Sequence, residues 1–590
     1  MSTVILAEKP DQAQNIALGL FGKITKVGIN VYSGFSDILN DDVKIVHAQG
    51  HLFGLKSPEE YFSNLDSNHW RLSDLPFFLP DNPSFQYSGF TSKQKDWSKK
   101  LYESIAKEVR AASNIIIATD PDREGEHIAY LVLNRIGIMK NNKPTKPLKR
   151  AWFNDMTARE FQRAFANLRD WKETYNFHIE ALARQIADWE FGYNLTRAVT
   201  LGLRNQEHYA PKNTGGFSIG RVQTPILQLI GMREKQIQEY KPIKHWSISA
   251  IDKSANIQFN NSVQYDSFDE ATKVCSGLDE TAKVVSVETI KKTKAAPKLL
   301  SMVEVEQLAG ERWGYAPIEV DDLIEKLYLK KLMSYPRGSS RYITDEVFAY
   351  LLEHLDDYKK MVGLEFDAVN TTPRKEYVDN SKVSAHYALV PSVNVIDLSK
   401  LPDDEANILR LVTEATLMMF APDWEYEETT VILDNGVELK ATGKVTIAQG
   451  WREFDKTSVV DVEMPNYSVS SYINVSTKLV EGVNTKPKRL TQATLVKGLK
   501  KLKLGTEATR SEIINQLLNK KQYLKLQKKE LFLTDKATIV LEFIHGSIDV
   551  PTTTMWEEQL CLIGEGKASL DSFIKIVRDD IKEKVAEFAA

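Results

Sequence analysis

The sequence predicts a multidomain protein that joins an α/β unit to helical (α) and β-rich (β) parts, and three observations predict it. The chain has 590 residues, too many for one hydrophobic core and enough for about four domains at ~150 residues each. Its first 155 residues alternate short β-branched runs with helical runs. Farther on, a β-rich pattern breaks off, gives way to a helical block and resumes, so at least one domain is discontinuous in sequence.

In chain order, TVILAEKP (3–10) reads as a strand running into a polar turn, and DQAQNIALGLFG (11–22) as a helix that starts at Asp11 and stops at glycine. NIIIATD (114–120) is a strand of the buried parallel kind, and PDREGEHIAYLVLNRIG (121–137) a turn and a helix. These make the α/β domain, 1–155. HIEALARQIADWEFGYNLTRAVTLGL (178–203) carries apolar residues at three and four spacing and dominates a helical segment, 156–215. Alternation in HWSISAIDKSANIQF (245–259) and TTVILDNGVELKATGKV (429–445) marks two β-rich segments, 216–290 and 411–485. Between them the linker-like KKTKAAPKLL introduces a helical block, 291–410, and a basic helical segment, 486–590, closes the chain. No internal repeat or low-complexity tract interrupts this order.

Hydrophobic and charged contents of 42% and 26% describe an ordinary globular chain. No apolar run is long enough to span a bilayer, and the N-terminus lacks the basic and cleavage features of a secretion signal. Two distant cysteines, Cys275 and Cys561, exclude a disulfide framework and a cysteine-rich zinc site. The expected location is a reducing cytoplasm. Net charge is −4, yet residues 486–529 hold thirteen Lys or Arg against Glu507 and Glu512. That surplus is either a nucleic-acid face or a solvated helical face.

The strongest local signal is ATDPDREGEH (118–127). Asp120, Asp122 and Glu124 follow a buried strand, at the edge where such sheets bind ligands. Clustered carboxylates raise one another's pKa and are relieved by a divalent cation, and all-oxygen ligands favour Mg²⁺ or Mn²⁺ over zinc. The bland alternative is a solvated acidic turn capping the helix. Glu8 and Lys9 stand just past the first strand, so two strand ends offer acids to one site. The other conspicuous stretch is KKLMSYPRGSSRYIT (330–344), where Tyr335 and Pro336 precede Arg337. A phenol between an apolar run and a cationic turn suits a nucleophile whose phosphate target the arginine holds.

A glutamate after the first strand, then D-x-D-x-E after a later one, resembles the Toprim metal-binding fold. LYLKKLMSYPRGSSRYIT resembles the catalytic-tyrosine segment of type IA DNA topoisomerases. Further matches stand in family order: GHLFGL (50–55), ARQIADWEFGYNLTRA (183–198), SIGRVQTPIL (218–227), SAHYALVPS (384–392), ATGKV (441–445) and LGTEATRSEII (504–514). The AEKP start and the ADWEFGYNLTRA wording look most like the topoisomerase III branch.

The resemblance implies a four-domain toroidal architecture: a Toprim domain, a helical DNA-groove domain from 156–215 and 486–590, a β-rich arch from 216–290 and 411–485, and the mobile block 291–410. It implies an ATP-independent enzyme that cleaves one strand through a 5′-phosphotyrosine, passes a strand and religates, relaxing negative supercoils or decatenating DNA. Tyr335 would attack, Arg337 would bind the scissile phosphate, Lys9 would protonate the leaving 3′ oxygen beside Glu8, and His386 would stand near the phosphate. Glu8, Asp120, Asp122 and Glu124 would hold Mg²⁺, with Mn²⁺ as the alternative. Arg184, Arg221, Gln223, Lys488, Arg489 and Arg510 would face single-stranded DNA. Neither GEGKAS (564–569) nor TGKVT (442–446) satisfies a Walker A motif, so no ATP site is expected.

The implied partners are single-stranded DNA and supercoiled or catenated duplex, with a RecQ-like helicase or a single-strand-binding protein as candidate protein partners. A monomer that engages no membrane is expected. Two departures stand out. Gly338-Ser339 replaces a hydroxyl residue and an acid after tyrosine-proline-arginine, which bears on metal dependence and cleavage rate, and HYALVPS lacks the commoner second histidine. No long insertion matches the decatenation loop of some relatives. A Toprim nuclease or primase would use the same acids without Tyr335, and an inert single-strand-binding subunit would need only the basic groove.

Overall fold

A computed structural model describes residues 2–205, 216–383, 386–455 and 460–589. The expected end of the first helical segment (206–215) and the first two residues of SAHYALVPS (384–385) lie outside the described residues.

The N-terminal part is built on one sheet. Strands β1 (Ser2–Ala7), β2 (Val31–Ser36), β3 (Asp41–His47), β4 (Asn114–Ala118), β5 (Leu148–Arg150) and β6 (Arg169–Asp170) lie in the order β6-β5-β4-β1-β3-β2. β1 is parallel to both β3 and β4, with Val4 opposite Ile115 and Ala7 opposite Ala118. Both faces of these central strands are covered, hence their continuous rather than alternating apolar sequences. Register then does something specific: strands ending together at Ala7 and Ala118 bring Glu8 and Asp120 side by side at the carboxyl edge. Helix α1 (Pro10–Phe21) leaves that edge with proline in its first turn and stops at Gly22, whose φ of 68° suits glycine. Helix α2 (Arg123–Ile136) leaves it from β4, and its N-cap is Asp122, not Glu124.

Helix α3 (Lys172–Asn205) has 34 residues, roughly 50 Å at 1.5 Å each. Its buried stripe, including Ala183, Leu195, Ala198 and Leu203, packs with C-terminal residues Leu499, Trp556 and Val577 into one core. Two segments some three hundred residues apart therefore make one helical domain. The sequence reading began the β-rich segment at residue 216, but residues 223–238 form helix α4 (Gln223–Gln238), whose Ile226, Leu227 and Ile230 join that helical core. Its apolar residues follow a helical spacing that the nearby alternation overshadows.

Strands β7 (Lys244–Asp252), β8 (Gln258–Tyr265), β9 (Thr281–Lys294), β10 (Trp424–Asp434), β11 (Glu438–Ala448) and β12 (Tyr472–Val483) close a barrel in the order β7-β8-β11-β10-β9-β12. Its interior holds small and branched residues such as Ile248, Ala250, Val431 and Leu439. The helical block between β9 and β10 includes α5 (Met302–Arg312), α6 (Pro317–Leu329) and α7 (Asp403–Leu417). The chain leaves and re-enters the barrel at one place, since Lys294 pairs with Trp424. Trp451 donates its indole N–H to the Lys294 carbonyl at 2.8 Å, and Arg452 lies over the Trp424 ring.

The C-terminal part adds α8 (Gln492–Lys501), α9 (Arg510–Asn515), α10 (Val550–Gly564) and α11 (Leu570–Ala589), with a hairpin of 524–527 and 530–533. No helix among the described residues is long and apolar enough to cross a membrane.

Candidate active site

The block carrying Tyr335 docks on the N-terminal sheet so closely that Tyr328 and Tyr335 pack in one cluster with Ile5, Ala7 and Phe153. Tyr335 is 2% exposed. Its backbone N–H bonds the Asn154 carbonyl at 2.6 Å, and its ring lies 4.3 Å from that of His386. Its hydroxyl donates to Asp122 Oδ2 at 2.7 Å, and Arg337 Nη1 reaches the same oxygen at 3.3 Å. Asp122 Oδ1 meanwhile accepts the Gly125 N–H at 2.8 Å as the cap of α2. One carboxylate thus joins the helix start to the phenol and the guanidinium.

The turn has no room to spare. A Cβ on Gly125 would lie 2.1 Å from the Asp120 carbonyl oxygen. Arg150, fully buried and paired with Glu126, donates to that carbonyl at 2.8 Å. Gln12 bridges the strand ends, accepting the Glu8 N–H at 2.6 Å and donating to Asp120 Oδ1 at 2.8 Å. Glu8 Oε2 accepts the Asp120 N–H at 3.2 Å. Lys9 Nζ lies 3.3 Å from Asp120, 3.8 Å from Glu8 and 2.8 Å from Glu325 of α6.

Burial, then the neighbouring Asp120 charge, raise the Glu8 carboxyl to about 8 against the pull of Lys9. Burial raises Asp120 as well, opposed by Lys9 and reinforced by Asp122. Burial would also raise Asp122, but Arg337, the Gly125 N–H and the Tyr335 hydroxyl outweigh it and hold it at about 2. Burial and the Asp122 charge push the Tyr335 phenol well above its ordinary range, Arg337 opposing. Burial holds His386 down at about 4, and its Nδ1 stands 2.8 Å from Asn154 Oδ1.

A cavity of about 400 Å³ opens beside these groups, lined by Glu8, Lys9, Asp122, Arg184, Arg337 and His386 among others. Glu124 lines it too, but turns to His51 Nε2 at 3.3 Å. The structure therefore brings Glu8, Asp120 and Asp122 together and gives Glu124 a different partner. The donor set is all oxygen and crowded enough to raise two of its members, which fits a hard divalent cation. Among the described residues, no three acidic, histidine or cysteine groups enclose an ion unaided. Lys9 and Arg337 take the positions beside Asp120 and Asp122.

The expected DNA-facing residues divide. Arg184 and Arg221 are 8% and 3% exposed and share Glu557 of α10. Arg221 also pairs with Asp188 at 2.8 Å. Arg510 is 5% exposed and donates to the Leu504 and Gly505 carbonyls. Gln223 is buried and bonds Ser218 and Lys521. Arg489 pairs with Glu234 and stacks on Phe532, and Lys488 is exposed. Buried guanidiniums with carboxylate partners hold elements together: Arg221 and Arg510 already have protein partners, and of the three arginines Arg184 lines the cavity. Sequence reasoning missed Gln12, Asn154, Glu325 and Glu557, whose partners lie in other segments and leave no local motif.

A family model for DNA topoisomerase matches residues 172–575, and one for the Toprim domain matches 3–156. Curated relatives include the DNA topoisomerase 3 of Bacillus subtilis strain 168, 31% identical over 628 positions, and that of Bacillus licheniformis, 29% identical over 624. Each alignment covers 99% of this chain and 81% of the relative. Among solved structures, full-length topoisomerase I from Thermotoga maritima superposes with a TM-score of 0.71 at 21% identity, covering 99% of this chain and 90% of that one.

Proposed function

The chain belongs to the type IA DNA topoisomerases, which cleave one DNA strand, pass another and religate, and on that premise we propose that Tyr335 is the residue joined to the cleaved strand. The observation that carries this is the Tyr335 hydroxyl on Asp122, a carboxylate that it shares with Arg337 and that lines the cavity with it. Without DNA the phenol is buried, protonated and far from nucleophilic. A scissile phosphate entering beside Arg337 replaces the Asp122 contact with one to phosphorus and puts the guanidinium where charge develops on the phosphate oxygens. The Tyr335 oxygen then bonds phosphorus as the bond to the 3′ oxygen breaks. The phenolic proton leaves through Asp122 or water, and Lys9 supplies one to the departing 3′ oxygen. The products are a 5′-phosphotyrosine and a free 3′-OH. Because the linkage keeps the phosphodiester energy, the reverse step needs no ATP.

His386, its ring tilted against that of Tyr335 and held by Asn154, orients the phenol and stays neutral at physiological pH. Glu8, Asp120 and Asp122 would hold the divalent cation, Mg²⁺ by the hardness of the donor set, and it would supply positive charge to the phosphate. The exposed lysines of 486–529, Lys488 among them, would track the single-stranded backbone toward the cavity, with Arg184 at its wall. We take the block carrying Tyr335 to lift from the Toprim face after cleavage and to return before religation.

The test is a 3′-end-labelled single-stranded oligonucleotide incubated with protein and Mg²⁺ and quenched with detergent. Label should remain on the wild-type protein and vanish from Tyr335→Phe. Free cleaved fragments persisting in the variant would instead identify a Toprim nuclease.

A further inference from the structure

The block carrying Tyr335 closes on a second surface as well. Helices α5 and α6 pack against α8 and α9 of the C-terminal part. Val303 enters the helical core there, and Lys500 Nζ bonds Ser301 Oγ at 2.7 Å and Glu304 Oε1 at 3.3 Å. At the same contact two carboxyl groups meet, Glu306 of α5 and Asp321 of α6. Ser511 of α9 crosses the interface and donates to Glu306 Oε1 at 2.6 Å. Glu306 is 2% exposed, and neither Glu306 Oε2 nor Asp321 Oδ1 has a hydrogen-bond donor among the described residues.

Two ionised carboxylates accept hydrogen bonds and cannot donate, so placed together without water they only repel. Arg510 and Arg337 pull on the pair, but no cation forms an ion pair with either carboxyl among the described residues. Arg510, the nearest on α9, is engaged by Glu507 and two carbonyls. Lys500 of α8 is held by Glu304, and Arg337 by Asp122. Asp322, on the same helix as Asp321, adds negative charge. On α7, packed against both helices, Glu405 and Glu414 are taken by Lys330 and Arg312. What remains is a proton. Burial raises both groups, Asp321 to about 6 and Glu306, with the Asp321 charge added, well above the carboxylate range, so the pair holds a proton between the two carboxyls.

We propose that Glu306 and Asp321 form a proton-operated latch on the gate: the closed interface holds one shared proton, and withdrawal of α9 admits water and releases it to solvent. This rests on the reading that the Tyr335 block lifts. The sign follows from linkage. Glu306 has a raised pKa only when closed, so the closed form is favoured at low pH. It loses ground, by up to about tenfold per pH unit, as pH rises from the ordinary carboxylate value toward the closed-state value. Alkaline conditions open the gate.

The experiment uses the full chain without DNA, carrying Asp356→Cys and Lys520→Cys for a dye pair and Cys275→Ser and Cys561→Ser to clear the background. Single-molecule energy transfer reads the open-to-closed ratio from pH 6 to 8. In the otherwise wild-type protein that ratio should rise by up to about tenfold per pH unit. In Glu306→Gln, which still donates to Asp321 and accepts from Ser511, it should stay within about twofold. A wild-type minus Glu306→Gln infrared difference spectrum at pH 7 should show the band of one protonated carboxyl. A gate that opens with equal pH slopes in both proteins, or an absent band, overturns the latch alone. A distance that never changes overturns the lifting of the block and the latch together.

Discussion

Replacing Glu557 by glutamine separates scaffold from DNA contact at Arg184 and Arg221. Glu557 takes Arg184 Nη1 on both oxygens, at 2.9 and 2.7 Å, and Arg221 on one. All three groups are buried. Glutamine keeps the shape but removes the charge, leaving Arg184 with Glu180 at 3.3 Å and Arg221 with Asp188 at 2.8 Å. Removing one member of a buried ion cluster costs 3–5 kcal/mol where nothing compensates; with both arginines still partnered, about 3 kcal/mol is expected. That is roughly a 150-fold rise in local opening, since 1.36 kcal/mol is a factor of ten. Hydrogen exchange along α3 and α10 reads it directly and avoids assuming that so large a chain melts in one step. Burial would raise Glu557, but Arg184 and Arg221 outweigh it and hold it at about 2. Its stabilising share is therefore present above the unfolded value near 4 and lost as pH falls toward 2. Unchanged protection together with a large loss of single-strand affinity would refute the scaffold assignment and return both arginines to the DNA.

Arg337→Lys keeps charge but loses the planar fork, and cleavage should slow by about 10²-fold while single-strand affinity holds; quenched-flow cleavage against filter binding checks both. Gly338→Ala places a Cβ 2.7 Å from the Tyr387 carbonyl and 3.2 Å from His386 Cβ, so docking should weaken by about 1–3 kcal/mol, read as lost protection at 386–390 and slower adduct formation. Glu8, raised to about 8, makes the native state bind a proton that the unfolded chain gives up, so stability falls as pH rises from about 4 to 8. Glu8→Gln should remove up to about 1.4 kcal/mol of that loss per pH unit, seen in thermal scans as a gap from wild type that widens toward pH 8 and narrows when Mg²⁺ is added.

The strands and helices of the Toprim part are legible because each periodicity is local: VILA and NIIIA are too apolar for anything but doubly covered strands, and glycine ends both helices. Glu8, Asp120 and Tyr335 are legible because residue type, spacing and family wording agree. The protein partners of the arginines are not legible, for a physical reason. A sequence shows that Arg221 and Arg510 are cationic but not that Asp188, Glu557 or Glu507 and two carbonyls already satisfy them. Asp122 is a similar case in reverse: a helix cap and a site carboxylate would be written with the same letter, and here one side chain both caps the helix and accepts the Tyr335 hydroxyl. The Gly338 departure becomes intelligible only with the Tyr387 carbonyl in view, since any larger residue must displace the segment that holds His386.

The single crossing between barrel and block has a mechanical meaning. Both covalent links to the block leave the barrel at one strand pair, Lys294 opposite Trp424, braced by Trp451 and Arg452. If Tyr335 holds the cleaved strand as proposed and the Toprim and C-terminal contacts release, a pull on that DNA arrives at this pair as torque about a fulcrum. Two links side by side permit a swing and resist a twist. In the proposed cycle a lever so mounted would return along the arc by which it left, carrying the broken end back to its own 3′-OH, and tension in the DNA would strain the pivot before it could misalign the ends.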